Sequence, residues 1–266
     1  MAPASSRASF RFYAELNDHL APEQRHHDLE KTFFVPASLK DGIESFGVPH
    51  TEVDLVLVNG ESSGFSRLIQ DGDRVAVYPV FEGLDITPQV RLRPLPLREP
   101  RFVLDVHLGR LAAYLRMLGL DAAYRNCAAD PELVRQSVDE RRILLTRDRA
   151  LLKHSALTHG YWLRETGSRH QVAEVVRRFD LARRIQPFTR CMACNEPLRL
   201  VVREEVRGRV PPRIAEIHDD FLQCPGCCRV YWRGTHYERM RRWIEELIAE
   251  QGTATSPPVI RWLPPS

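Results

Sequence analysis

The chain has 266 residues, 43% of them hydrophobic, which is enough for about two domains with cores of their own. The formal net charge is only +3, and no run of about 18 apolar residues occurs, which excludes a membrane-spanning segment. The opening MAPASSRASF lacks the apolar stretch of a secretory signal, so a cytoplasmic location is expected, and six cysteines in a reducing compartment point to metal before disulfide.

The small net charge hides an asymmetry. Residues 1 to 96 hold 9 Lys+Arg against 14 Asp+Glu, residues 97 to 190 hold 18 against 11, and residues 191 to 266 hold 11 against 10. Lysine contributes only Lys31, Lys40 and Lys153, so the basic middle is basic through arginine. Arginine makes bidentate phosphate contacts that lysine does not. The competing reading is that the arginines merely reflect genome composition.

The first segment alternates from Ser9 to Leu16, with Phe10, Phe12 and Ala14 on one face, which predicts a strand. Thr32 to Val35 predicts a second. Ser38-x-x-Asp41 has the form of a capping box opening a short helix to Phe46, stopped by Gly47-Val48-Pro49. Val53 to Val58 predicts a third strand ending at the turn pair Asn59-Gly60. Asp71-Gly72-Asp73 turns into a last strand, Arg74 to Phe81. Strands, helix and strands suggest a β-grasp domain over residues 1 to 87. LVLVNGES and DGDRVAVYPVFEG resemble the ubiquitin-like sulfur carriers. Those carriers end in a free Gly-Gly, whereas here Glu82-Gly83-Leu84-Asp85 leads onward, which removes that chemistry. Docking of RNA, or of a protein or the ribosome, is the role left for such a domain. Residues 88 to 100, with Pro88, Pro94, Pro96 and Pro100, read as a stiff extended linker.

Residues 101 to 187 read as a parallel α/β unit. Two buried-strand runs, Phe102-Val103-Leu104 and Ile143-Leu144-Leu145, each lead to an aspartate, Asp105 and Asp148. Leu108, Leu111, Leu115 and Leu118 fall on one helical face. Asp130-Pro131 opens a second helix carrying Leu133, Val134 and Val138. His159 to Leu163 predicts a further strand, and Ser168 a cap for a helix with Val172, Val175, Val176 and Phe179. In parallel sheets ligands bind beyond the carboxyl ends of the strands. Each aspartate has a plain alternative as a helix cap, worth about 1 kcal/mol. Clustered carboxylates repel unless a cation neutralises them, and Mg²⁺ or Mn²⁺ is the natural hard partner. Glu165 reads as a surface acid, and Cys127 as a small buried residue.

Residues 188 to 250 carry Cys191-Met-Ala-Cys194 and Cys224-Pro-Gly-Cys227. Two C-x-x-C pairs supply four soft ligands, which suits one tetrahedral, structural Zn²⁺ in a zinc ribbon. Short apolar strands are expected at Leu198 to Val202 and between Val206 and Ile217. Cys228 is a spare thiol that could compete as a ligand. Met240, Trp243, Ile244 and Leu247 mark a last amphipathic helix, and residues 251 to 266 form a Pro-rich tail expected to be disordered.

FVLDVHLGRLAAYLRMLG, then DPEL, then RRILLTRDRALL resemble the Mut-seven C-terminal RNase domain family, a branch of the PIN-like nucleases. The resemblance spans about Arg101 to Trp243 and includes the cysteine pairs and the segments His218-Asp219-Asp220-Phe221 and Tyr231 to His236. It implies an α/β/α fold with an acidic metal site, with Asp105, Asp130 and Asp148 holding Mg²⁺ or Mn²⁺, Glu132 assisting, and Arg110, Arg116 or Arg147 steadying RNA phosphates. The alternative is a non-catalytic RNA- or ribosome-binding protein in which the acids are structural and the ribbon and arginines bind backbone.

Overall fold

The structure is a computed structural model that describes residues 5–34, 36–79 and 99–251. The linker up to residue 98, the end of the strand expected to reach Phe81, and the tail from residue 252 lie outside the described residues. No helix among the described residues is long and apolar enough to cross a membrane.

The chain begins with β1 (Ser6–Phe12), β2 (Leu29–Phe33), α1 (Leu39–Glu44), β3 (Val53–Val58), β4 (Glu61–Ser62) and β5 (Arg74–Pro79). The sheet order is β2-β1-β5-β3-β4, with β1 and β5 parallel and the other pairs antiparallel. This is the mixed sheet of a ubiquitin-like domain. Alternation along β1 and β5 sends Phe10, Phe12, Val75 and Val77 inward, where they meet Leu39 and Ile43 of α1. The helix can come this close because Gly42 faces the sheet: a Cβ there would lie 2.7 Å from Ile69 and 2.8 Å from Phe10. The capping box forms as expected, with the Asp41 N–H donating to Ser38 Oγ at 3.1 Å and the Ser38 N–H donating to Asp41 Oδ2 at 3.1 Å.

The first strand lies earlier than its apolar pattern suggests. It ends at Phe12; Ala14 takes a left-handed φ of 46° and opens a 3-10 turn, Ala14–His19. Leu16 is therefore buried from a turn rather than a strand. The second strand is likewise shifted forward, because Ser6 to Phe10 pair with Phe33 to Leu29.

There follow β6 (Phe102–Leu104), α2 (Gly109–Met117), β7 (Ala122–Tyr124), α3 (Asp130–Asp139), β8 (Ile143–Thr146), β9 (Gly160–Trp162) and α4 (Ser168–Arg178). β6 pairs with β7 and β8 with β9, both in parallel, as an α/β domain requires. All residues of β6 and β8 are buried, which explains why they read as continuous apolar runs. The short β7 was not apparent in the sequence, since Ala-Ala-Tyr has no strand pattern of its own. Just past the end of α2, Gly119 takes a φ of +84° that only glycine adopts freely; a Cβ there would meet the Gln186 carbonyl at 2.2 Å. Ser168 is the first residue of α4 rather than its cap. Val138 is exposed, and Ser137 takes the inward position on α3.

The last segment holds β10 (Arg199–Val202), α5 (Pro212–Ile217), β11 (Asp220–Gln223), β12 (Val230–Tyr231) and α6 (Thr235–Glu250). The three strands form an antiparallel sheet, and α5 replaces the second strand expected before Ile217, because Pro212 sits where helices accept a first-turn proline. Trp243 of α6 packs against Tyr114 of α2 and under the Arg169 guanidinium.

The chain gathers into two compact units, neither contiguous in sequence: Met1–Glu99 with Asp130–Trp162, and Pro100–Ala129 with Leu163–Ser266.

Candidate functional site

Asp105 follows β6 directly and is only 8% exposed. It occupies the N-cap position of the 3-10 turn Val106–Leu108, yet its side chain makes no capping hydrogen bond. The plain capping role therefore does not account for it. Asp148 follows β8 and is exposed. Its backbone N–H donates to Thr146 Oγ1 at 2.9 Å, and its Oδ1 accepts the Ala150 N–H at 2.7 Å. One oxygen of Asp148 thus shapes the turn that leads to Leu151. Asp130 and Glu132 stand on the first turn of α3, Asp130 exposed and Glu132 half-buried. Asp130, Glu132 and Asp148 belong to one compact unit and Asp105 to the other. Within their unit, the first three do not gather as tightly as the cysteines described below. Glu165 is an exposed residue whose N–H donates to Glu174 Oε2.

Of the three candidate arginines, Arg110 and Arg147 are exposed. Arg116 is 3% exposed. Its Nε donates to the Ala122 carbonyl at 2.8 Å, and its Nη1 donates to the carbonyls of Met192 at 3.2 Å and Ala193 at 2.8 Å. Those bonds occupy the guanidinium inside the protein, so its expected place on an RNA phosphate gives way to a structural one. Cys127 is exposed, not buried.

The strongest local chemistry is at the cysteines. The Sγ atoms of Cys191, Cys194, Cys224 and Cys227 all lie within 4.8 Å of one another. Cys191 and Cys227 stand 3.5 Å apart, and Cys194 and Cys224 3.2 Å apart. A tetrahedral zinc with bonds of about 2.3 Å needs sulfur separations of about 3.8 Å, whereas a disulfide needs about 2.0 Å. The four thiols therefore fit a single zinc ion. Burial pushes the Cys191 thiol up, but the Tyr231 hydroxyl and the Cys194 and Ala193 N–H groups outweigh it and bring it down to about 6. The Tyr231 hydroxyl lies 3.1 Å from Cys191 Sγ, where it can donate to a thiolate. Burial pushes the Cys224 thiol up to about 12. An ion is what a thiol raised in this way needs to give up its proton. Cys228 is exposed, at a left-handed φ of 63°, and stands outside the cluster.

The first knuckle is bolted to α2 and β7. Asn195, at φ 77°, accepts the Ala122 N–H on Oδ1 at 3.0 Å and donates from Nδ2 to Asp121 Oδ1 at 2.7 Å. Arg190 donates from Nη1 to the Asn195 carbonyl at 2.8 Å. With the Arg116 bonds, these contacts tie the metal loop to the β6–α2–β7 segment. Sequence reasoning singled out Arg116 but not Asn195 or Asp121; an Asn, which tolerates the left-handed conformation, directly after a C-x-x-C was the available signal. Replacing Arg116 by Met should lower stability by about 2–4 kcal/mol, because buried carbonyls lose their donor. A denaturation midpoint unchanged from the parent would show that water replaces those bonds.

Two family models match the chain: the Mut7-C RNAse domain over residues 100–244 and the Mut7-C ubiquitin domain over residues 5–85. No curated protein and no solved structure matches it. The first match spans more than half of the chain and takes in Asp105, Asp130, Asp148 and all four clustered cysteines, while the second covers the mixed sheet. The chain therefore belongs to the Mut7-C RNAse domain family, with a ubiquitin-like domain ahead of the RNase domain and a nuclease- or RNA-related function.

Proposed function

We propose that the protein is a divalent-metal-dependent ribonuclease that cleaves RNA phosphodiester bonds. The match of residues 100–244 to the RNase domain carries this reading. Asp105, buried directly after β6, supports it, because ligands of parallel sheets bind beyond the carboxyl ends of the strands. In this reading Asp105, Asp130 and Asp148 hold one Mg²⁺ or Mn²⁺, and Glu132, two residues past Asp130, replaces or assists it. The donors are hard oxygens, which suit these ions. When bound, such an ion supplies an activated water and neutralises charge that develops on the phosphate. The exposed Arg110 and Arg147 hold flanking phosphates. Zinc in the cysteine cluster is structural, and thiolate ligands suit a reducing, cytoplasmic setting. The functional segments are residues 1–87, a linker at 88–100, the nuclease domain at 101–187, the ribbon at 188–250 and a tail at 251–266. A protein or ribosome partner would dock through the ubiquitin-like domain.

The second reading, a non-catalytic RNA- or ribosome-binding protein, is favoured by one observation: Asp148 Oδ1 already serves the local turn. Zinc-loaded protein incubated with total RNA separates the two. Cleavage that starts only on addition of Mg²⁺ or Mn²⁺ supports the nuclease, and binding without cleavage under every ion supports the alternative. The arginines of residues 97 to 190 lead to a further expectation. RNA affinity should fall steeply between low and physiological salt, by about tenfold or more for a few phosphate contacts. A flat response in a filter-binding titration would show that these arginines face elsewhere.

A further inference from the structure

The unit that contains the ubiquitin-like domain also contains residues 130–162, and the two are joined by buried polar bonds rather than by apolar packing alone. His19, at the end of the first 3-10 turn, and Glu52, just before β3, have side chains 0% and 3% exposed. Glu52 uses both oxygens: Oε2 lies 2.9 Å from His19 Nε2, and Oε1 accepts the Trp162 backbone N–H at 2.6 Å. The Trp162 ring lies 5.0 Å from the His19 ring on one side, and the Arg149 guanidinium stands 5.2 Å from its centre. Arg149 Nη1 also donates to the His19 carbonyl at 3.1 Å. Finally, Trp162 Nε1 donates to the Arg147 carbonyl at 3.2 Å. Arg147 and Arg149 flank Asp148 on both sides.

We propose that the ubiquitin-like domain fixes the conformation of the Asp148 loop through this clamp, with His19, Glu52, Arg149 and Trp162 as positioning residues. The functional consequence rests on the nuclease reading. The clamp holds the loop at both neighbours of the acid: by a backbone bond to Arg147, and by the Arg149 side chain laid across Trp162 and His19. A cation over an indole, partly shielded from water, adds to a charged donor on a carbonyl. A carboxylate that must meet a metal within a few tenths of an ångström needs this kind of support behind it. The domain then acts as a brace for the site, in addition to any partner it docks.

Two variants of the full, zinc-loaded chain test the idea. Trp162→Phe keeps a ring for His19 and Arg149 but removes the donor to Arg147. Arg149→Met removes the bond to His19 and the cation, at an exposed position. Amide hydrogen exchange at Asp148 and Ala150 should rise in both variants, because their N–H groups bond only within this loop. The Mg²⁺ concentration for half-maximal cleavage should rise about 10–100-fold, as for lost supporting groups of other metal sites, with RNA binding unchanged in Trp162→Phe, which removes no charge. Excess Mg²⁺ should restore the rate. Unchanged exchange in both variants, or an unchanged Mg²⁺ midpoint in cleaving enzyme, overturns the clamp. If the parent protein itself never cleaves, the nuclease reading fails, while the exchange data still decide whether the clamp holds the loop.

Discussion

Asp148→Asn and Asp105→Asn are each expected to reduce Mg²⁺-dependent cleavage by at least about 100-fold while leaving the fold intact. The figure follows from the several kcal/mol of charge stabilisation that a metal site supplies, at 1.36 kcal/mol per tenfold. Both substitutions keep shape and remove one charge. In Asp148→Asn the amide oxygen can still accept the Ala150 N–H, so the turn survives and the loss reports on charge alone. Asp105→Asn probes a buried group that caps nothing. Thermal stability without divalent ion should stay level or rise slightly, since a repelling carboxylate is gone. RNA binding should persist, because Arg110 and Arg147 remain. Single-turnover cleavage of labelled RNA measures the effect. Full metal-dependent activity in either variant would move the assignment to the RNA-binding alternative.

Loss of a zinc ligand should have the largest effect on folding. Natively purified protein should contain one zinc per chain, and Cys191→Ser or Cys224→Ser should contain none. The ribbon's apolar cluster of Val201, Val206, Val210 and Phe221 is too small to hold the segment alone. Structural zinc contributes about 10–16 kcal/mol to small zinc peptides, comparable to the whole stability of a domain. The damage should also spread, because Arg116 and Asn195 bind the Cys191–Cys194 loop to Ala122 and Asp121. Hydrogen exchange should therefore accelerate in the β6–α2–β7 segment as well as in the ribbon. Elemental analysis and exchange on the same preparations read both outcomes. A zinc-free native protein with Cys191 and Cys224 in disulfides would refute the assignment.

Much of this protein was written in local patterns. The two C-x-x-C pairs specified four ligands, and the structure brings their sulfurs together. The Ser38–Asp41 box and the leucine face of α2 are short-range signals, set by hydrogen bonds and side-chain period within a few residues. The apolar runs of β6 and β8 announced strands buried on both faces. Other features had no local signature. Arg116 carried the family pattern and a charge suited to phosphate, yet packing turned it inward onto carbonyls more than 70 residues away. Ala14 broke an alternating strand because pairing of Ser6 to Phe10 with β2 set where the strand lay. The union of residues 130–162 with the ubiquitin-like domain, through Glu52 and Trp162, was likewise invisible in the order of segments. A residue's period and ligand type are properties of its neighbours in sequence. Which polar group is buried, and against which distant partner, is decided only when the chain closes on itself, since an unpaired buried polar group costs too much to be left alone.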